Sequence, residues 1–157
     1  MELILLSIGK INTNWIKEGV REYESRIKKY LKFTSIEIPD LKNSKTLPLE
    51  KIKEEEGKLI LNNISMSDLM IVLDEKGKEF TSKEFSFWIE KQLSTGKKKI
   101  IFVIGGPYGF SETIYKRADY KIALSKLTFT HEMAKLFLTE QIYRSMTILK
   151  GEPYHHE

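Results

Sequence analysis

The sequence predicts an α/β fold, a mostly parallel sheet with helices on both faces, and three observations carry that prediction. Short apolar runs alternate with amphipathic helical stretches along all 157 residues. The apolar runs are continuous rather than alternating, as strands buried on both faces require. Turn residues separate the segments, with no internal repeat, low-complexity tract or linker, so residues 1–157 are expected to form one domain.

ELILLSIG (2–9) reads as the first buried strand, ended by Gly9. Ile16, Val20, Tyr23, Ile27 and Leu31 then recur every three or four residues, which predicts an amphipathic helix over 14–32. FTSIEI (33–38) is the second strand, halted by Pro39. The polar stretch 40–48 reads as a loop and 49–63 as a helix. LMIVL (69–73) is the third strand, and Phe85, Trp88, Ile89 and Leu93 mark a helix over 82–93. KIIFVIGG (99–106) is the fourth strand, followed by a short helix from Ser111 to Arg117 and a fifth strand, YKIAL (120–124). The last helix, His131 to Lys150, is apolar nearly all round, which predicts burial on several sides and a share of its surface against a second subunit. Glu140 and Arg144 lie one turn apart on it, either as an ion pair along the helix or as inward polar groups at a dimer seam.

Composition excludes several classes of function. The chain has no cysteine, which rules out disulfides, a thiol nucleophile and a cysteine-based zinc site. Three histidines, two of them adjacent, make a metal site unexpected. No apolar run approaches the roughly 18 residues of a membrane span, and the first ten residues lack a signal peptide's basic start. A soluble, cytoplasmic protein is expected. The net charge of +4 is mild, but residues 14–32 hold six Lys or Arg against three Glu, and Lys97 to Lys99 form a second basic run. These clusters read either as solvated faces or as phosphate contacts.

In a parallel sheet the ligand sits at the carboxyl ends of the strands. That rule selects LDEKGK (73–78), IGGPYGFS (104–111) and LSKLTFTHE (124–132). The glycines of GGPYG let a ligand or another backbone approach closely, or simply make a tight turn. The loop lacks the fingerprints of a phosphate or dinucleotide loop and suits a flat neutral group such as adenosine better. LSKLTFTHE combines apolar residues with hydroxyls and free backbone amides, as small cofactor sites do. The tail, GEPYHHE (151–157), concentrates Tyr154, His155 and His156 directly after the last helix.

SIGK, EYESRIKKY (22–30), EGKLIL (56–61), VLDEKGK (72–78), VIGGPYGFS (103–111), ALSKLTFTHEMAKLFLTEQIYRSMTI (123–148) and PYHHE (153–157) occur in an order and spacing that, over essentially the full length, resembles one family. This is the RlmH-type large-subunit ribosomal RNA methyltransferases of the SPOUT superfamily. The resemblance implies a deep trefoil knot in the C-terminal part, a homodimer, and methyl transfer from S-adenosylmethionine to N3 of a pseudouridine in large-subunit ribosomal RNA, on the assembled ribosome. It implies cofactor binding by Leu73, Gly105, Leu124, Ser125, Lys126, Leu127, Thr128 and Phe129, the same loops selected above. It places the catalytic work in the tail: His155 assists proton removal or bonds the base edge, Tyr154 orients the base, and His156 touches RNA. The family pattern carries arginine where this chain has His156, and a largely neutral imidazole lacks the permanent charge and bidentate grip of a guanidinium. The competing reading is a non-catalytic ribosome-binding or assembly factor that retains the fold.

Overall fold

In the computed structural model, which describes residues 1–156, β1 (Glu2–Ile8) lies inside a five-stranded sheet. It pairs in parallel with β2 (Lys32–Ile38) on one side and β4 (Lys99–Ile104) on the other. β3 (Leu69–Lys78) pairs in parallel with β4, and β5 (Tyr120–Ile122) closes the far edge in parallel on β3. The strand order is therefore β2-β1-β4-β3-β5. The continuous apolar runs are explained by this sheet, because both faces are covered. Leu3, Leu5, Ile71 and Phe102 pack against α1 (Asn14–Ile27), α3 (Ser82–Leu93) and α5 (His131–Lys150). Ile4, Leu6, Val72 and Val103 pack against α2 (Leu49–Leu61) and α4 (Glu112–Arg117).

Three segments differ from the sequence reading. α1 ends at Ile27, not near residue 32, because the chain must enter β2 in register with β1, where Glu2 faces Lys32. Tyr30 then donates its N–H to Ile27 in a tight closing turn. The 40–48 loop contains a short 3₁₀ turn, Ser44–Thr46. β3 runs on to Lys78, so LDEKGK is a bulged extension of a strand whose pairing with β5 resumes at Lys78 opposite Ile122.

α5 packs against both α1 and α3, and its buried face mixes Leu138, Ile142 and Met146 with Lys135, Thr139, Ser145 and Thr147. The hydroxyls of Thr139, Ser145 and Thr147 donate to carbonyls of the helix itself, so their burial leaves no unpaired donor. Thr130 caps its start by accepting the Met133 N–H, and Gly151, at φ 68°, ends it in the left-handed conformation. Among the described residues no helix is long and apolar enough to cross a membrane.

Candidate active site

The three selected loops converge at the carboxyl ends of β3, β4 and β5 and enclose a cavity of about 810 Å³. Residues 73–76, 104–110 and 124–131 line it, except Lys126, and Tyr115 and Ala134 complete the wall. Its size and its mix of apolar walls with polar groups suit a nucleoside-sized ligand.

Close backbone approach explains two of the glycines. A Cβ on Gly105 would lie 2.9 Å from the Phe110 ring, which is buried under the loop. A Cβ on Gly77 would lie 2.5 to 2.7 Å from the backbone of Ile122, so only glycine lets the bulge of β3 rest on β5. Ser111 then caps α4, its hydroxyl accepting the Ile114 N–H.

Hydrogen bonds tie the loops to one another. Tyr115 donates its hydroxyl to Asp74, and burial together with that carboxylate pushes the phenol up to about 12. Thr128 donates to Glu75 at 2.7 Å, and Ser125 accepts the Leu127 N–H at 3.0 Å. Seven of the expected cofactor positions line the cavity: Leu73, Gly105, Leu124, Ser125, Leu127, Thr128 and Phe129. The eighth, Lys126, points away, with Nζ 3.9 Å from Glu79. The sequence reading did not single out Asp74, Glu75, Tyr115 or His131 as site residues. Asp74 and Glu75 stood inside a selected loop, whereas Tyr115 reaches the cavity only through the placement of α4.

The tail forms a second cluster, folded back along α5. Tyr154 stacks edge-on to Tyr143 with centroids 4.7 Å apart and donates its hydroxyl to Glu140 at 3.1 Å. Arg144 bonds Glu140 through Nε at 3.0 Å, lies 4.8 Å over the Tyr154 ring and sits 3.1 Å from His155 Nδ1. Glu140 and Arg144 are thus a pair along the helix and also the floor on which the tail rests. Their contact holds the guanidinium above its ordinary range, and burial beside Tyr23 and Glu140 raises the Tyr154 phenol. Tyr30 fixes the tail's start, donating to Glu152 at 2.5 Å. His156 is exposed.

Tyr154, His155 and His156 do not line the cavity of their own chain. Glu140 lies nine residues beyond His131, about 14 Å farther along the helix. The cavity and the tail are therefore separate features of the chain.

A parallel sheet with a cavity over its carboxyl edge defines the class, an α/β protein with a candidate small-molecule site at its strand ends. Residues 1–155 match the family described as predicted SPOUT methyltransferase, and the chain belongs to that family. Among its relatives is the protein named ribosomal RNA large subunit methyltransferase H from Christiangramia forsetii, 52% identical over 156 residues and covering 99% of each chain. The proteins of the same name from Parabacteroides distasonis and Cytophaga hutchinsonii are 51% identical over 157 residues and 53% identical over 156. Those alignments cover 100% of both chains in the first case, and 99% of this chain and 100% of the relative in the second.

Proposed function

We propose that this protein transfers a methyl group from S-adenosylmethionine to N3 of a pseudouridine in large-subunit ribosomal RNA, acting in the cytoplasm on the assembled ribosome as a homodimer. The observation that carries the reading is the cavity over β3, β4 and β5, in a chain about half identical, end to end, to relatives named as ribosomal RNA methyltransferases. The cradle fits the cofactor. Gly105 leaves a flat approach beside Phe110, Leu73, Leu124 and Phe129 supply apolar walls, and the 124–130 segment supplies backbone amides outside any helix.

When bound, S-adenosylmethionine supplies a methyl group on a sulfonium, ready for in-line displacement. The protein's part is mainly alignment, worth about 7–11 kcal/mol for well-placed partners. Leu73, Gly105, Leu124, Ser125 and residues 127–129 would hold the donor, and the tail would present the acceptor base. Arg144 can only donate, so His155 Nδ1 accepts and the ring proton of the neutral imidazole stands on Nε2. That proton suits a carbonyl beside N3, where a donor stabilises the anion formed as the base gives up its N3 proton to solvent water. His155 thus acts as a hydrogen-bond donor to the base edge, Tyr154 orients the base, and His156 contacts RNA.

The separation of tail and cavity within one chain supports the homodimer, in which one protomer's tail serves its partner's cavity. Phe137, 39% exposed and packed on Phe129 at 5.0 Å, continues the cavity wall onto the open face of α5 where the partner would sit. The knot belongs to the same reading, with α5 threaded beneath the 104–111 loop.

The test compares ribosomal RNA nucleosides by mass spectrometry with and without this gene product. Loss of one methylpseudouridine supports the reading. An unchanged profile, together with no S-adenosylmethionine binding by calorimetry, replaces it with the assembly-factor reading.

A further inference from the structure

The lining of the cavity includes an aromatic side chain to which the reading above gives no task. Gly106 accepts the N–H of Gly109 at 3.2 Å, which closes a β-turn with Pro107 and Tyr108 at its two corners. Proline presets the backbone of the first corner, and Gly109, at φ 82°, turns the chain back toward Phe110. The two aromatic residues of this loop part company there. Phe110 is buried, whereas Tyr108 lines the cavity and is still 49% exposed.

Tyr108 is also unengaged. Neither its ring nor its hydroxyl has a partner among the described residues, although every other tyrosine of the chain packs against an aromatic ring. Leu127, 71% exposed, is a second large apolar side chain of the lining left open to solvent. Cations stand at the same mouth. Lys76 lines the cavity, is exposed and pairs with no carboxylate among the described residues. Lys121 is exposed and lies 4.9 Å over the ring of Tyr115, another lining residue. Exposed rings among exposed cations make a surface for single-stranded nucleic acid, because every base offers a π face and every nucleotide a phosphate.

We infer that Tyr108 is a stacking platform for a nucleobase that flanks the methylated one in the RNA substrate. A phenol suits the place, with a flat apolar face for the base and a hydroxyl that stays in water. The turn holds that face at the cavity mouth before RNA arrives, so little ordering is left to do on binding. The inference rests on the methyl-transfer reading and adds to it where the substrate strand lies.

The test is methylation of ribosomes from cells lacking this gene product, read as kcat and KM, beside calorimetric titration of the intact protein with S-adenosylmethionine. Tyr108→Ala should raise KM for ribosomes about tenfold, the scale of one lost stack of base on ring, and leave kcat and the dissociation constant for S-adenosylmethionine within about twofold. Tyr108→Phe and Tyr108→Trp should restore KM, because stacking needs the ring and not the hydroxyl. The salt dependence of ribosome binding should be the same in Tyr108→Ala as in wild type, since a ring neutralises no phosphate. Tyr108 is exposed, so each variant should fold with Tm unaltered. An unchanged KM in Tyr108→Ala overturns the inference, as does a loss that Tyr108→Phe fails to rescue. Weakened S-adenosylmethionine binding in Tyr108→Ala assigns the ring to the cofactor and overturns it too, and dissociation of the variant into monomers assigns the ring to the subunit contact with the same consequence. Wild-type protein that neither binds S-adenosylmethionine nor methylates these ribosomes overturns the methyl-transfer reading itself and this inference with it.

Discussion

Nη1 of Arg144 lies 3.1 Å from Nδ1 of His155, and because a guanidinium only donates, this contact makes Nδ1 the acceptor. The same guanidinium bonds Glu140 and covers the Tyr154 ring, so one side chain of α5 sets the position of two tail residues.

Arg144→Ala should therefore act on turnover rather than on cofactor binding. Misplacing the acceptor by about 1 Å costs on the order of 100-fold in rate. Single-turnover methylation of ribosomes should fall by about that factor, with the dissociation constant for S-adenosylmethionine within about twofold. Arg144→Lys keeps the charge but loses the fork that spans Glu140 and His155, and should fall in between. Full activity in Arg144→Ala would remove the tail from the mechanism.

Gly77→Ala tests the bulge. The added Cβ would stand 2.5 Å from the carbonyl carbon of Ile122, a backbone atom that cannot swing aside. Separating β3 from β5 should cost about 1–3 kcal/mol, a drop in Tm of roughly 2–10 °C. Cofactor affinity should fall with it, because residues 73–76 and, apart from Lys126, 124–130 line the cavity from the two displaced segments. A variant as stable as wild type, measured by thermal melting, would show that the bulge has room to move.

The strands and helices were legible because period and length announce them. The sheet order was not, since nothing local in ELILLSIG says that its neighbours are β2 and β4. LDEKGK read as a loop because its charged residues hide a strand whose pairing depends on Gly77 alone finding room against Ile122. The three loops of the cavity were predictable from strand polarity, and seven of the eight residues assigned to it line it. Lys126 was included because the family resemblance carries a contiguous run, whereas the fold turns that one side chain to Glu79. Tyr115 gave no sequence signal, because only the placement of α4 in the tertiary fold brings it to the cavity.

Glu132 gives a pH prediction with a definite sign. Its carboxylate accepts the N–H groups of Asn12 and Thr13 and the Thr13 hydroxyl, tying the chain after β1 to the first turn of α5. These bonds favour the ionised form and hold the carboxyl below its ordinary range. A depressed acid stabilises the fold above its unfolded value, about 4.3, and the stabilisation is lost as pH falls through the folded value. Glu132→Gln should melt about 2–4 °C below wild type at pH 7, and the gap should close as pH drops below about 4. A gap independent of pH would mean that the carboxylate charge contributes nothing.

His156→Arg introduces at the tail the permanent cation that the family resemblance leads one to expect there. His156 is exposed, so the change should leave Tm unaltered. Ribosome affinity should rise at low ionic strength, with the gain shrinking as salt is added. Unaltered affinity at low salt would place this position away from RNA.

The basic face of α1 and the turn after it supplies the last prediction, and it separates two kinds of cation. Arg26 pairs with Glu22 at 2.7 Å and lies 5.4 Å over the Tyr143 ring, so it is committed to the helix and to the aromatic floor of the tail. Lys28 and Lys29, at the exposed end of the helix, are the better partners for phosphate. Lys28→Glu with Lys29→Glu should weaken ribosome binding and flatten the plot of log affinity against log salt by roughly 0.7–0.9 for each phosphate no longer neutralised. Arg26→Ala should leave that slope alone and act through the Tyr143 ring instead. A double charge reversal that leaves the slope unchanged would move the RNA surface elsewhere, with Lys97 to Lys99 the next run to reverse.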